Sequence, residues 1–208
     1  MPGAKKKGGS AALHSAPPAL PLLEEAAALL LRHAEGANWA REGLLETPKR
    51  FAAAWRHYTR GYSQDPKAVL KEFGDGAATY DEMVIVQGIQ IHSLCEHHLA
   101  PIFGVAHIGY IPRGKIVGLS KLSRLADVFA GRLQVQERLT RQIADALNEH
   151  LDPVGVGVML QCRHLCMEAR GIQKMGTITT TTAMYGALRK DASARAEFLQ
   201  SLQIHNQI

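Results

Sequence analysis

Cys95, Glu96, His97 and His98 occupy four consecutive positions in the stretch HSLCEHHLAP, residues 92 to 101, and a second group, CRHLC, brings Cys162, His164 and Cys166 close together. Thiolate and imidazole are the ordinary ligands of zinc. Cys95 and His98, three residues apart, can point to one side of a turn, and His164 and Cys166 share a face if their stretch is extended. Two ligands hold a metal poorly. Joined, the clusters would supply Cys95, His98 and Cys166 and leave one coordination position for water; with His97 as a fourth ligand the site would be closed and structural.

Two other readings compete with a metal site. Ten histidines in 208 residues make chance neighbours common, and free cysteines are frequent core residues. Packing is the preferred reading for Cys162, His92 and His107. A thiol nucleophile at Cys95 with His97 or His98 as its base also fits, but it leaves the second cluster without a role. Spacing alone does not choose between zinc and packing.

Charged residues offer a second chemistry. Lys121 and Arg124 lie one helical turn apart at an expected helix start, where backbone N–H groups also favour anions. Taken singly, Lys121 reads as a solvated charge, Ser120 as a helix cap and Glu137 as a helix-surface carboxylate.

The elements that must position these residues follow from period and punctuation. LLEEAAALLLRH predicts a helix from Leu22 to His33, with Pro21 in its first turn and Gly36 at its end. TPKRFAAAWRHYTRGY predicts a second, with Thr47 as N-cap, Pro48 at the first helical position and Gly61 as its stop. DPKAVLKEFG repeats that grammar from Asp65 to Gly74. EMVIVQGIQIHSL and PIFGVAHIGYIP are β-branched and read as antiparallel neighbours with the first cluster between them. SKLSRLADVFAGR and QVQERLTRQIADALNEHL return to helical spacing and are expected to cover one face of the sheet. VGVGVMLQCRHLC and TITTTTAMYGAL add two strands, and ARAEFLQSLQI closes the chain as a helix. This order favours an α+β fold over a doubly wound parallel sheet.

Composition bounds the rest. The length suits one domain with a tail. No apolar run approaches the roughly 18 residues of a membrane span, and the first residues hold three lysines with Gly, Ser and Pro but no apolar stretch of secretory-signal length. Three cysteines cannot all pair within the chain, which favours a reducing compartment, the cytoplasm. Of the formal charge of +5, Lys5, Lys6 and Lys7 supply three. No nucleic-acid motif or aromatic-interleaved basic stripe is present, so neither nucleic acid nor membrane is an expected partner. The expected division is a disordered basic tail over 1–20, a helical region over 21–75 and a catalytic domain over 76–208.

CEHHLAPIFGVAHIGYIP, GLSKLSRLADVFAGRLQVQERLT and HLCMEARGIQKMGTITTTTAMYG resemble, in order, the signature blocks of GTP cyclohydrolase I, from about REGLLETPKR to EFLQS. The resemblance implies conversion of GTP and water to 7,8-dihydroneopterin triphosphate and formate, on the pathway to tetrahydrofolate or tetrahydrobiopterin. It implies Zn2+ held by Cys95, His98 and Cys166, with His97 and His164 as acid/base residues. In the family the residue matching Glu137 receives the guanine N1 and N2 hydrogens. Gln136 is a flanking contact through its backbone, Ser120 meets the ribose hydroxyls, and Lys121, Arg124 and Arg170 bind the triphosphate. Arg50 matches an arginine supplied by a neighbouring subunit. Glu96 is expected to support the site without a catalytic part. The implied fold is the tunnelling fold, four antiparallel strands with paired helices, assembling as a homo-oligomer, a decamer of two pentamers with active sites between subunits.

Cys162 departs from the family pattern, standing where a small residue such as alanine is expected, and could act as an accidental fourth thiol ligand. Two alternatives of other kinds are a thiol-dependent nitrile reductase on the same general fold, without metal, and a zinc-stabilised binding protein without turnover.

Overall fold

The computed structural model describes residues 20–73 and 79–202. The expected tail, apart from Leu20, lies outside them. The chain forms two compact units that meet in sequence at Trp55 and Arg56.

The first unit holds α1 (Leu20–Glu35) and most of α2 (Thr47–Tyr58). The Arg32 guanidinium stacks on Trp39 at 4.5 Å, and Phe51 and Trp55, four residues apart on α2, stack with ring centroids 5.9 Å apart. Thr47 is the first helical residue and not the cap, because the Glu46 carbonyl already accepts the Arg50 N–H at 3.0 Å.

In the second unit α2 stops at Tyr58, before Gly61. Gly61 is buried because the chain passes close to another strand of backbone. Its N–H donates to the Gly131 carbonyl at 2.8 Å, and a Cβ there would stand 2.0 Å from the Val128 carbonyl oxygen. Asp65 caps α3 (Pro66–Val69) by accepting the Lys67 N–H at 3.0 Å. The helix expected to run on to Gly74 ends here, since Val69 and Leu70 pack on the core and β1 (Glu72–Phe73) pairs with β4 (Ile116–Val117). Long-range strand pairing overrides local propensity in this segment.

Four strands form the antiparallel sheet as expected: β2 (Val84–Cys95), β3 (Pro101–Ile111), β6 (Gly155–His164) and β7 (Thr179–Tyr185). A two-residue strand, β5 (Leu133–Gln134), adds a short parallel edge on β2, giving the order β5-β2-β3-β6-β7. On one face lie α4 (Leu119–Ala130) and α5 (Gln136–Leu151). Leu122, Leu125 and Phe129 of α4 and Leu139, Ile143 and Leu147 of α5 recur at three- and four-residue steps, and they are buried against Ile91, Ile102, Ile108, Val158 and Leu160. Each fully buried leucine or isoleucine contributes about 2 kcal/mol by leaving water.

The opposite face carries a second, smaller core. After the short α6 (Leu165–Glu168) and α7 (Gly186–Lys190), α8 (Ala192–Leu202) buries Phe198 and Leu202 beside Ile85, Ile111 and Met159. This is the α+β tunnelling-fold arrangement, with a cover on the second face that the sequence reading did not assign.

One irregularity decides which face the chemistry occupies. The β2–β3 register advances three residues on β2, from Val86 to Ile89, against two on β3. Gly88 sits in this bulge at φ +69°, a backbone conformation open to glycine at little cost. The extra residue switches the alternation, so Ile89, Ile91, Ser93 and Cys95 all turn inward and are buried.

Candidate active site

Cys95 ends β2 and begins a tight reversal. Its N–H donates to the Ala100 carbonyl at 2.8 Å and its carbonyl accepts the Leu99 N–H at 2.8 Å, while Leu99 takes the left-handed φ of +53° that closes the turn. His98 rides on this loop with Nδ1 3.8 Å from the Cys95 sulfur.

Cys166 reaches the same place by a different route from the extended one expected. β6 ends at His164, and α6 carries Cys166 in a helical turn. Arg163 and Glu168 staple that turn with two parallel contacts, Nε to Oε1 at 2.9 Å and Nη2 to Oε2 at 2.5 Å. His164 and Cys166 therefore do not share a strand face.

The Cys95, His98 and Cys166 ligand atoms all lie within 4.8 Å of one another. Tetrahedral zinc, with bonds of about 2.3 Å to sulfur and 2.0–2.1 Å to nitrogen, sets neighbouring ligands about 3.5–3.8 Å apart. The Cys95–His98 separation meets that requirement, and a small contraction at Cys166 completes it. Burial and the neighbouring Cys95 thiol push the Cys166 thiol up, with the Arg170 charge acting in the opposite sense. Two thiols held together in partly buried surroundings are a donor set that a divalent cation would stabilise as thiolates.

Cys162 is not a fourth ligand in this group. It lies in the core, 1% exposed, and its sulfur stands 2.7 Å from where a Cβ on Gly104 would be, so the glycine opposite makes room for the thiol. Burial raises its pKa to about 12, which keeps it a neutral packing group.

His164 sits at the end of β6 with its Nε2 2.7 Å from Oε1 of Gln136, the first residue of α5. Burial lowers its pKa, and the Glu137 carboxylate acts in the opposite sense. Glu137 itself is exposed and lines a cleft of about 430 Å³ with Arg141, Thr182, Tyr185, Arg189 and Arg195. Neither the Cys–His–Cys group nor His164 lines that cleft, so it is not by itself a reaction centre. No side chain caps the start of α5, which leaves its first backbone N–H groups without partners inside the helix.

His97 is largely exposed, its Nε2 3.9 Å from Glu96. Glu96 anchors the loop. Arg138 of α5 donates to its carboxylate, to the Leu133 carbonyl at 2.9 Å and, through Nε, to Gln134 Oε1 at 3.0 Å, while the Glu96 N–H donates to the Gln134 carbonyl at 3.0 Å. The Arg138 hydrogen bond holds the Glu96 carboxyl below its ordinary value. The loop bearing Cys95 and His98 is thus tied to the helix turn bearing Gln136 and Glu137.

Ser120, Lys121 and Arg124 lie in the first turns of α4, with Ser120 and Arg124 exposed four residues apart. Gly118, not Ser120, occupies the N-cap position. Arg170 is exposed in the turn after α6, and Arg50 is exposed on α2 in the first unit. The Gln136 side chain, Arg138 and the Arg163–Glu168 staple were missed from sequence. Gln136 binds partners 24 to 45 residues away, a separation that leaves no local signal.

The family model of GTP cyclohydrolase I matches residues 23–203. GTP cyclohydrolase 1 of Nitrosospira multiformis is 58% identical over 170 residues, covering 82% of this chain and 89% of the relative. That of Janthinobacterium sp. is 59% identical over 170 residues, covering 82% and 85%, and that of Corynebacterium glutamicum 52% identical over 188 residues, covering 88% and 94%. A solved structure, the apo form of archaeosine synthase QueF-Like, aligns with a TM-score of 0.42 at 18% identity, covering 50% of this chain and 93% of that one. A match that spans nearly every described element, at more than half identity to full-length relatives, makes this chain a member of the GTP cyclohydrolase I family of enzymes.

Proposed function

We propose that the enzyme converts GTP and water to 7,8-dihydroneopterin triphosphate and formate, the entry step to tetrahydrofolate or tetrahydrobiopterin, with Zn2+ held by Cys95, His98 and Cys166. The observation that carries this reading is the convergence of three ligand atoms within 4.8 Å of one another, with no fourth in the group among the described residues. A bound zinc ion with an open position would supply a Lewis acid that acidifies water toward neutral pH.

The chain's own residues do the rest. Guanine C8 is a poor electrophile, and a proton delivered by His164 to N7 makes it a better one. Partial burial of His164 favours release of that proton. Hydrolysis opens the five-membered ring and frees C8 as formate. His97, exposed beside Glu96, serves the later proton transfers of the ribose rearrangement. Glu137 accepts the N1 and N2 hydrogens of guanine, a pair that adenine lacks, and the Gln136 backbone flanks the base. Ser120 meets the ribose, and Lys121, Arg124 and Arg170 bind the triphosphate together with Arg50 of a neighbouring subunit.

The active form is a homo-oligomer, a decamer of two pentamers. Among the described residues two sheet edges are open, which supports it: β7 ends the strand order on one side, and β2 is covered on the other only where two residues pair with β5. The catalytic region runs from about residue 76, and three free cysteines fit a cytoplasmic setting.

The test is incubation of zinc-loaded protein with GTP, and separately with ATP, following formate and the fluorescent oxidised pterin. Product from GTP alone, with about one zinc per chain, is expected. Zinc-loaded protein that forms no product sinks the reading, and activity that persists without metal favours a thiol enzyme instead.

A further inference from the structure

The Gln136 side chain is 2% exposed and lies wholly inside the fold. Its Nε2 is 2.8 Å from the Thr179 carbonyl, 3.2 Å from the Leu160 carbonyl and 3.1 Å from Thr181 Oγ1. Two of these three partners are carbonyl oxygens, which can only accept. The amide nitrogen must therefore face them, since the flipped amide would set an oxygen against two oxygens.

That choice decides the other end. Oε1 faces His164 Nε2 at 2.7 Å, and an amide oxygen cannot donate. The hydrogen between them therefore belongs to the histidine.

The surrounding hydroxyls hold the amide in this sense. Thr140 Oγ1 donates to the Gln136 backbone carbonyl at 2.7 Å, so in its 2.6 Å contact with Thr181 Oγ1 it accepts. Thr181 then spends its own hydrogen on Thr140 and is left to accept from Gln136. Thr140 is 1% exposed; the two hydrogens of the Gln136 amide are shared among the Thr179 carbonyl, the Leu160 carbonyl and Thr181 Oγ1, all acceptors in this sense.

We infer that Gln136 is a positioning residue, acting through its side chain to fix the His164 ring with hydrogen on Nε2 and to leave Nδ1 as the nitrogen outside the lock. This rests on the reading of His164 as the proton donor to the purine. It differs from a role for the Gln136 side chain in binding the base, because its amide is occupied by β6, β7 and His164.

Two measurements on the full-length protein test it. In 15N-histidine-labelled wild type at about pH 8, above the ordinary histidine value, the His164 resonances, assigned by their loss in His164→Asn, are expected to show hydrogen on Nε2 and a bare Nδ1. Hydrogen on Nδ1 overturns the inference whether or not the enzyme turns over GTP. Kinetics give the second: Gln136→Met keeps the side-chain length but removes the lock, and kcat should fall roughly ten- to hundredfold with KM for GTP changed less than about threefold. Gln136→Glu, which restores an acceptor for Nε2, should recover part of that loss. Wild-type kcat in Gln136→Met, or a raised KM with kcat unchanged, overturns it. Wild-type protein that makes no product from GTP refutes the proposed reaction instead and leaves the labelling result to stand alone.

Discussion

Among single residues, the sharpest division is between the two cysteines of CRHLC. Cys166 belongs to the Cys–His–Cys group and Cys162 to the core. Cys166→Ser should drop bound zinc from about one per chain to a trace and cut turnover more than about hundredfold, with the circular dichroism spectrum nearly unchanged. Unfolding of that variant would instead fit a zinc-stabilised binding protein. Cys162→Ala should retain full metal content and lose roughly 1 kcal/mol of stability from the small cavity left against Gly104; loss of zinc in that variant would make it a ligand after all. If Glu137 accepts the guanine N1 and N2 hydrogens as proposed, Glu137→Ala should lower kcat/KM for GTP about hundredfold or more while zinc stays bound.

At the scale of elements, the site depends on how the Cys95–Ala100 loop is fastened. Arg138 ties Glu96 to the start of α5, and the folded-state pKa of Glu96 is depressed. The sign follows from linkage. The contribution is present above the ordinary carboxyl value of about 4.3 and is lost as pH falls through the lower folded value. The melting temperatures of wild type and Arg138→Met should differ near neutral pH and converge under acid conditions; a gap that persists there would show that Arg138 acts by packing and not by charge. The second element-scale test is Gly61→Ala. A Cβ 2.0 Å from the Val128 carbonyl oxygen cannot be accommodated without moving the backbone, and a cost of about 3 kcal/mol or more is expected in denaturant unfolding.

For the whole molecule, the proposed assembly makes two checks. Light scattering should give a mass near ten times the 22.7 kDa chain, and mixing inactive Arg50→Ala with inactive Cys166→Ser should restore activity at about a quarter of the sites if each site draws on two copies; an inactive mixture would place Arg50 and Cys166 within one copy's site. Much of this protein was legible before any coordinates. The periods of α4 and α5, the β-branched runs of the four long strands and the donor types in CEHH and CRHLC are local properties, which survive in a list of letters. The end of α3 and the helical turn under Cys166 were misread and the close approach at Gly61 went unseen: the first and last are decided by partners far along the chain, and the turn by the Arg163–Glu168 pair that spans it. The bulge at Gly88 belongs with them: one extra residue turns Cys95 inward, and only the register against β3 reveals it. Side-chain chemistry and periodicity were therefore settled by sequence alone. That Cys166 joins Cys95 and His98 while Cys162 stays in the core, and that His164 meets Gln136, were settled by the tertiary structure, since each depends on atoms that only folding brings within reach.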